Sequence, residues 1–222
     1  MARTYPRKAA DLPAIIPVFP LDAALLLPHG ELPLNIFEPR YLNMVDDALA
    51  GERLIGMVQT RSGASPFGPN LARVGCLGRL TAFSETVDER YLITLTGLCR
   101  FAVAEELASQ APYRQVRADY AAFVGDLRPM ADDDGFDRLR FLAALKAYLD
   151  RRGLAMEDWE SPKSAAAESL INGLAMVLPF SPGEKQALLE APSLAERREA
   201  LIALMEIDAA PGSREDEPPI FN

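Results

Sequence analysis

A chain of 222 residues with 49% apolar and 25% charged side chains has the composition of a globular protein, and its length suits one domain or two small ones. Its 32 Asp+Glu against 23 Lys+Arg leave a formal charge of −9, which repels phosphate backbones and anionic lipid, so neither nucleic acid nor membrane is expected as a partner. One His and two Cys are too few for nearly every zinc-ligand pattern, and no metal or cofactor is expected.

Residues 1–13 read as a flexible arm: Arg3, Arg7 and Lys8 are followed by no uninterrupted apolar core of the kind a secretory leader needs. The β-rich part then runs over residues 14–124. Ala14 to Phe19 is a short apolar run closed by Pro20, compatible with an edge strand. Leu32 to Phe37 alternates, with Leu32, Leu34 and Ile36 on one face. Pro39 can open a helix, because the first helical turn needs no N–H there, and Tyr41, Leu42, Val45, Ala48 and Leu49 follow at helical spacing up to Gly51. Arg53 to Gln59 is a strongly apolar strand, and Arg61 to Asn70, rich in Gly, Pro and Ser, reads as a loop. Val74 to Ser84 and Arg90 to Thr96 form a hairpin about a polar turn; Gly97 allows a bend before Leu98 to Val103, and Tyr113 to Tyr120 is a further strand. Short strands joined by tight turns favour a small curled sheet or barrel over a parallel α/β sheet.

The period then changes. Residues 125–135, with Asp132-Asp133-Asp134, read as a polar linker, and residues 136–208 as a helical subdomain. Leu142, Leu145, Tyr148 and Leu149 mark one amphipathic helix. Ser161-Pro162 opens a second, whose apolar stripe runs from Ala167 through Leu170, Ile171 and Leu174 to Leu178. Glu168 and Asn172 interrupt this apolar stretch, so it does not read as a membrane span. Ser181-Pro182-Gly183-Glu184 and Ser193-Leu194-Ala195-Glu196 have the capping-box pattern and open two more helices. Residues 209–222 read as an acidic disordered tail. The stripes need one another for burial, so the architecture is α+β, a β barrel-like sheet followed by a small helical bundle packed on it.

The chemistry sought is mostly missing. Gly63 and Gly68 have the gap of a phosphate-cradling loop, but Pro69 and Asn70 stand where Lys and Ser/Thr would do the work. Asp132-Asp133-Asp134-Gly135 fails the EF-hand spacing, which would put its first ligand at Met130 and its bidentate Glu at Phe141. Lys163 and Ser164 are adjacent, the wrong geometry for a Ser-Lys dyad. Any imidazole-assisted nucleophile would have to use His29, the single histidine, which sits on a loop with no partner in view. Cys76 and Cys99 read as reduced core thiols of a cytoplasmic protein.

One segment is more specific. Ile16-Pro17-Val18-Phe19-Pro20-Leu21, Leu25 to Pro28, and Leu32-Pro33-Leu34-Asn35-Ile36-Phe37-Glu38-Pro39-Arg40-Tyr41 resemble the start of the N-terminal substrate-binding domain of Lon proteases. Ile55-Gly56-Met57-Val58, Gly75-Cys76-Leu77-Gly78, Arg90-Tyr91 and Gly97-Leu98-Cys99-Arg100-Phe101 extend the resemblance, which runs from about residue 14 to about 207. It implies a PUA-like β pseudo-barrel followed by helices. The ATPase and protease modules of a full Lon protease are not expected in a chain that stops at Asn222 without a Walker loop; the similarity is to the stand-alone bacterial members.

The expectation is therefore a non-catalytic module that binds protein or peptide clients, alone or for a separate ATP-dependent protease. The alternatives are an RNA-binding PUA-like module or an accessory remnant of such a protease. Glu38 and Arg40 are expected to tie the strand-to-helix turn together. A functional alternative makes Arg40 and Arg100, with His29 and Glu31, a rim for an acidic peptide terminus, beside a groove between barrel and bundle where a strand edge could add a peptide.

Overall fold

The computed structural model describes residues 6, 8–65, 68–129, 135–156 and 159–210. The acidic tail beyond Ala210 and the triple-aspartate run lie outside these residues.

Six strands form one sheet: β1 (Ile15–Pro20), β2 (Glu31–Ile36), β3 (Leu54–Val58), β6 (Val74–Glu85), β7 (Tyr91–Leu107) and β8 (Arg114–Asp119), in the order β2-β7-β6-β3-β1-β8. A further β7–β8 pairing (Ala102↔Asp119 to Leu107↔Gln115) closes β7, β6, β3, β1 and β8 into a ring. Closure removes the free edges of those five strands. β1 and β3 pair in parallel, Val18↔Gly56. They can do so because the helix α1 (Pro39–Ala50) carries the chain back between them.

Long β7 makes the ring possible. Gly97 does not end the strand, which continues from Tyr91 to Leu107, its first half pairing with β2 and its second with β8; the bend expected there is a bulge, Leu98 being the extra residue between the pairs Gly78↔Gly97 and Leu77↔Cys99. Register shifts at Leu77/Gly78 and Leu80/Ala82 supply the curvature. Gly56 and Gly75 make room for Phe101, whose ring lies 3.0 Å and 2.6 Å from where their Cβ atoms would stand. The stretch read as a loop at 61–70 is a small hairpin, β4 (Thr60–Ser65) and β5 (Gly68–Leu71). Its strands lack apolar alternation; Gly63, at the register shift between Arg61 and Ala64, and Gly68, at the start of β5, take positive φ values of 99° and 118°.

Ile16, Val18, Leu54, Val58, Leu77, Leu98, Cys99, Phe101 and Val116 fill the ring. Leu12, within the stretch read as an arm, is buried there too, and Pro13 C=O accepts from the Tyr120 hydroxyl. A 3-10 helix at Ala121–Leu127 takes up the first residues of the stretch read as linker and packs Phe123 and Leu127 against the same cluster.

The helical half consists of α2 (Arg138–Arg152), α3 (Glu160–Ser164), α4 (Ala167–Val177), α5 (Pro182–Glu190) and α6 (Leu194–Ala209). Ser181 caps α5 in a full capping box with Glu184, and Ser193 caps α6 through Glu196 N–H. Asp137 caps α2 by accepting from Arg140 N–H. The single helix expected from Ser161 to Leu178 is two, because Ala166 is extended (ψ 143°) and breaks the run. One continuous cluster of buried side chains joins Phe141, Tyr148, Ile171, Leu188, Leu201 and Met205 of the helices to Leu25–Leu27, Met44, Met57 and Leu95 of the β half. None of the described helices is long and apolar enough to cross a membrane.

Candidate functional site: a groove between the free strand edge and a helix

The loop between β1 and β2 builds one wall. Its Leu25, Leu26 and Leu27 are all but fully buried, and they carry the chain across β7 at Gly97. There His29 N–H donates to Gly97 C=O (3.0 Å) and Gly97 N–H to Gly30 C=O (2.8 Å). The crossing is too close for any other residue: a Cβ at position 97 would stand 2.0 Å from Leu27 O. His29 takes a left-handed φ of 62°, and the absence of a Cβ on Gly30 admits the Met176 sulfur of α4.

Helix α4 is pinned opposite. Asn172, 2% exposed, donates from Nδ2 to Pro28 C=O (3.0 Å) and accepts at Oδ1 from Arg197 Nη1 (2.9 Å), while Arg197 Nε bonds Leu188 C=O. Burial, with the charge of Arg100 adding to it, lowers the Arg197 guanidinium to about 10. His29 Nε2 reaches to 3.9 Å from Glu168 Oε1 on the same helix. Between the two walls lies a cavity of about 600 Å3 lined by Pro28, His29, Glu31, Leu32, Pro33 and, on α4, Asn172, Met176 and Val177 among others.

β2 is the edge strand of the sheet among the described residues. Because Gly30 C=O accepts from Gly97, the alternate residues Leu32, Leu34 and Ile36 turn their backbone groups to β7. Glu31, Pro33 and Asn35 then turn theirs outward. Pro33, which has no N–H, therefore falls where the ladder needs none. The same alternation points Leu32, Leu34 and Ile36 to the core and leaves Glu31, Pro33 and Asn35 exposed.

The five residues singled out from sequence do not share one rim. His29 and Glu31 line the groove. Glu38 and Arg40 lie beyond the far end of β2, about 20 Å away by strand rise, where Arg40 Nη2 bonds Glu38 Oε2 at 2.8 Å and stacks on Tyr41, its guanidinium carbon 4.6 Å from the ring centre. Arg100 is no surface residue: at 5% exposure it makes a bidentate pair with Asp126 and donates from Nη1 to Leu189 and Ala191 C=O. Burial pulls its pKa down, but the hydrogen bonds and charge of Asp126 outweigh this and leave it raised. Sequence reading missed Arg100 as a tie between barrel and helices because its partners lie 26 to 91 residues away. It also missed Asn172, whose signal was a carboxamide inside an apolar helical stripe.

In the groove the one imidazole, His29, faces the Glu168 carboxylate, and the Ser169 hydroxyl is among the other lining groups. Cys76 and Cys99 are buried on opposite sides of the barrel wall, one in each hydrophobic cluster. Burial raises both thiols, Cys99 to about 12. Among the described residues no group of three or more His, Cys, Asp or Glu is placed to hold a metal ion.

Residues 15–206 match the sequence profile of the ATP-dependent protease La (LON) substrate-binding domain. Lon protease 2 of Sorangium cellulosum is 28% identical over 210 residues, 92% of this chain and 26% of that protein. Lon protease of Syntrophus aciditrophicus is 32% identical over 117 residues, 50% of this chain and 15% of that protein. The chain thus spans about a quarter or less of these relatives. Among solved structures, the Lon N-terminal domain protein from Xanthomonas campestris superposes with a TM-score of 0.61 at 24% identity, covering 85% of this chain and 97% of that one. The N-terminal domain of Mycobacterium avium complex Lon protease gives 0.62 at 16% identity, covering 86% and 98%. At these identities the superpositions speak for the fold, and the profile match for descent: the chain belongs to the Lon substrate-binding domain family.

Proposed function

We propose that this chain is a non-catalytic, cytoplasmic module that holds extended segments of client proteins in the groove between β2 and α4, alone or on behalf of a separate ATP-dependent protease. The observation that carries the reading is an apolar-walled cavity of about 600 Å3 opening beside the edge of β2, which is unpaired among the described residues. Such an edge supplies main-chain hydrogen bonds to any extended segment, and the hollow beside it supplies burial for side chains. Membership of a substrate-binding family supports the client class, and the charge of −9 argues against nucleic acid or anionic membrane in that role.

The test is capture of an unfolded client, reduced casein, against folded controls, with Gly173→Trp as the blocked variant. Gly173 lines the groove, and a Cβ there meets nothing within 4 Å, so a bulky side chain can be added at this wall with no clash at its first carbon. Enrichment of the unfolded client, lost about tenfold in the variant, is expected; no enrichment, or enrichment untouched by the indole, overturns the reading. Casein incubated with the protein and ATP is expected to remain intact.

A further inference from the structure

We infer that the groove selects client segments in which lysine or arginine alternates with apolar residues, laid as an added strand along β2; this rests on the reading of the groove as a client site. The titratable groups lining the cavity are His29 and Glu31, with Glu168 behind His29, and no Lys or Arg is among its described lining residues. The Glu31 carboxylate is exposed on the outward face of β2 and makes no hydrogen bond or ion pair among the described residues. In its own cross-strand row the next basic residue is Arg79, two strands away beyond Thr96, a backbone separation of about 10 Å.

The cations that an acidic segment would need are committed elsewhere. Arg40 pairs with Glu38 beyond the other end of β2, and Arg100 is buried on Asp126. Arg197 gives Nη1 to Asn172 and Nε to Leu188 C=O and keeps Nη2 buried without a hydrogen-bond partner among the described residues; it is only 3% exposed and so shielded from a segment on the strand edge. A segment running along β2 thus meets carboxylate at the His29 end and an apolar wall of Leu32, Pro33, Met176 and Val177 beside it. Because side chains alternate along a strand, a basic-apolar repeat sends one class of side chain to the face that carries Glu31 and the other to the face of Leu32 and Leu34. The site's charge therefore discriminates by repelling acidic segments as much as by attracting basic ones.

Fluorescein-labelled nonapeptides alternating Leu with Lys, Glu or Ser, titrated against the full chain by fluorescence polarisation, test this. The Leu/Lys peptide is expected to bind about fivefold or more tighter than Leu/Ser, and Leu/Glu weaker than both. The difference should shrink in about 0.5 M salt. Glu31→Lys should reverse the order, whereas Glu85→Lys, the same change of net charge two strands away in the row Ile36-Tyr91-Glu85 at the other end of β2, should leave it in place. Equal binding of the three peptides, with Gly173→Trp still blocking all of them, overturns the charge selection and leaves the client groove standing. A Lys preference altered equally by Glu85→Lys and Glu31→Lys also overturns it, as a property of overall charge. Peptide binding that is indifferent to Gly173→Trp overturns both readings.

Discussion

Arg100 shows how much one buried charge can organise. Its guanidinium is shared between Asp126, on the 3-10 helix, and the carbonyls that end α5, so one side chain joins β7, the segment after β8 and the helical half. An ion pair of this kind is costly to break from one side, since the partner is left charged and dry. Arg100→Met should therefore destabilise the chain by about 3–5 kcal/mol in urea denaturation, with much of the loss restored when Asp126→Leu is added. A double variant no more stable than the single one would show that the carbonyl bonds, not the pair, carry the effect. Such a residue is not legible in sequence: within Cys99-Arg100-Phe101 the arginine interrupts an apolar strand, which is equally the mark of a solvated face.

At the scale of elements, the groove depends on the crossing of the β1–β2 loop over β7. Two backbones meet there with no side chain between them, and the hydrogen bonds of His29 and Gly30 to Gly97 lock the meeting. Gly97→Ala places a methyl carbon against Leu27 O and must push the loop away. The expected result is a loss of about 1–3 kcal/mol in stability together with loss of client binding, read by urea midpoint and by polarisation with the Leu/Lys peptide. A stable variant that binds normally would show that the loop position does not matter to the groove. The sequence marks Gly97 as a bend, and a bulge in β7 adjoins it; the close approach of the β1–β2 loop, which also calls for glycine, is recorded only by the tertiary structure.

On the scale of the whole molecule, barrel and helices share one core. Lys185 Nζ donates to Ala23 C=O, Gln59 Nε2 to Pro182 C=O, Gln186 Nε2 to Val74 C=O and Asn172 to Pro28 C=O, all between the halves. Removing the helices would strip cover from the β half's share of the common cluster. A fragment comprising residues 1–134 should lack the near-ultraviolet circular dichroism of the full chain and bind a hydrophobic dye, while the full chain unfolds in one transition by both near- and far-ultraviolet signals. Two separated transitions in the full chain would instead mark independent units.

The sequence by itself determined the order of β half and helical half, the start of α1 at Pro39, the serine caps of α5 and α6, and the inward faces of β2 and α1, because alternation, helical period and capping are set by residues a few positions apart. It also carried the motifs that mark the family. The closure of the barrel through β7 and β8, the burial of Arg100 and Asn172, and the carboxylate-lined groove were decided only by tertiary structure. Each of these arises where segments as distant as Pro28 and Asn172 are brought together, and no local pattern records which distant partner a polar side chain will meet.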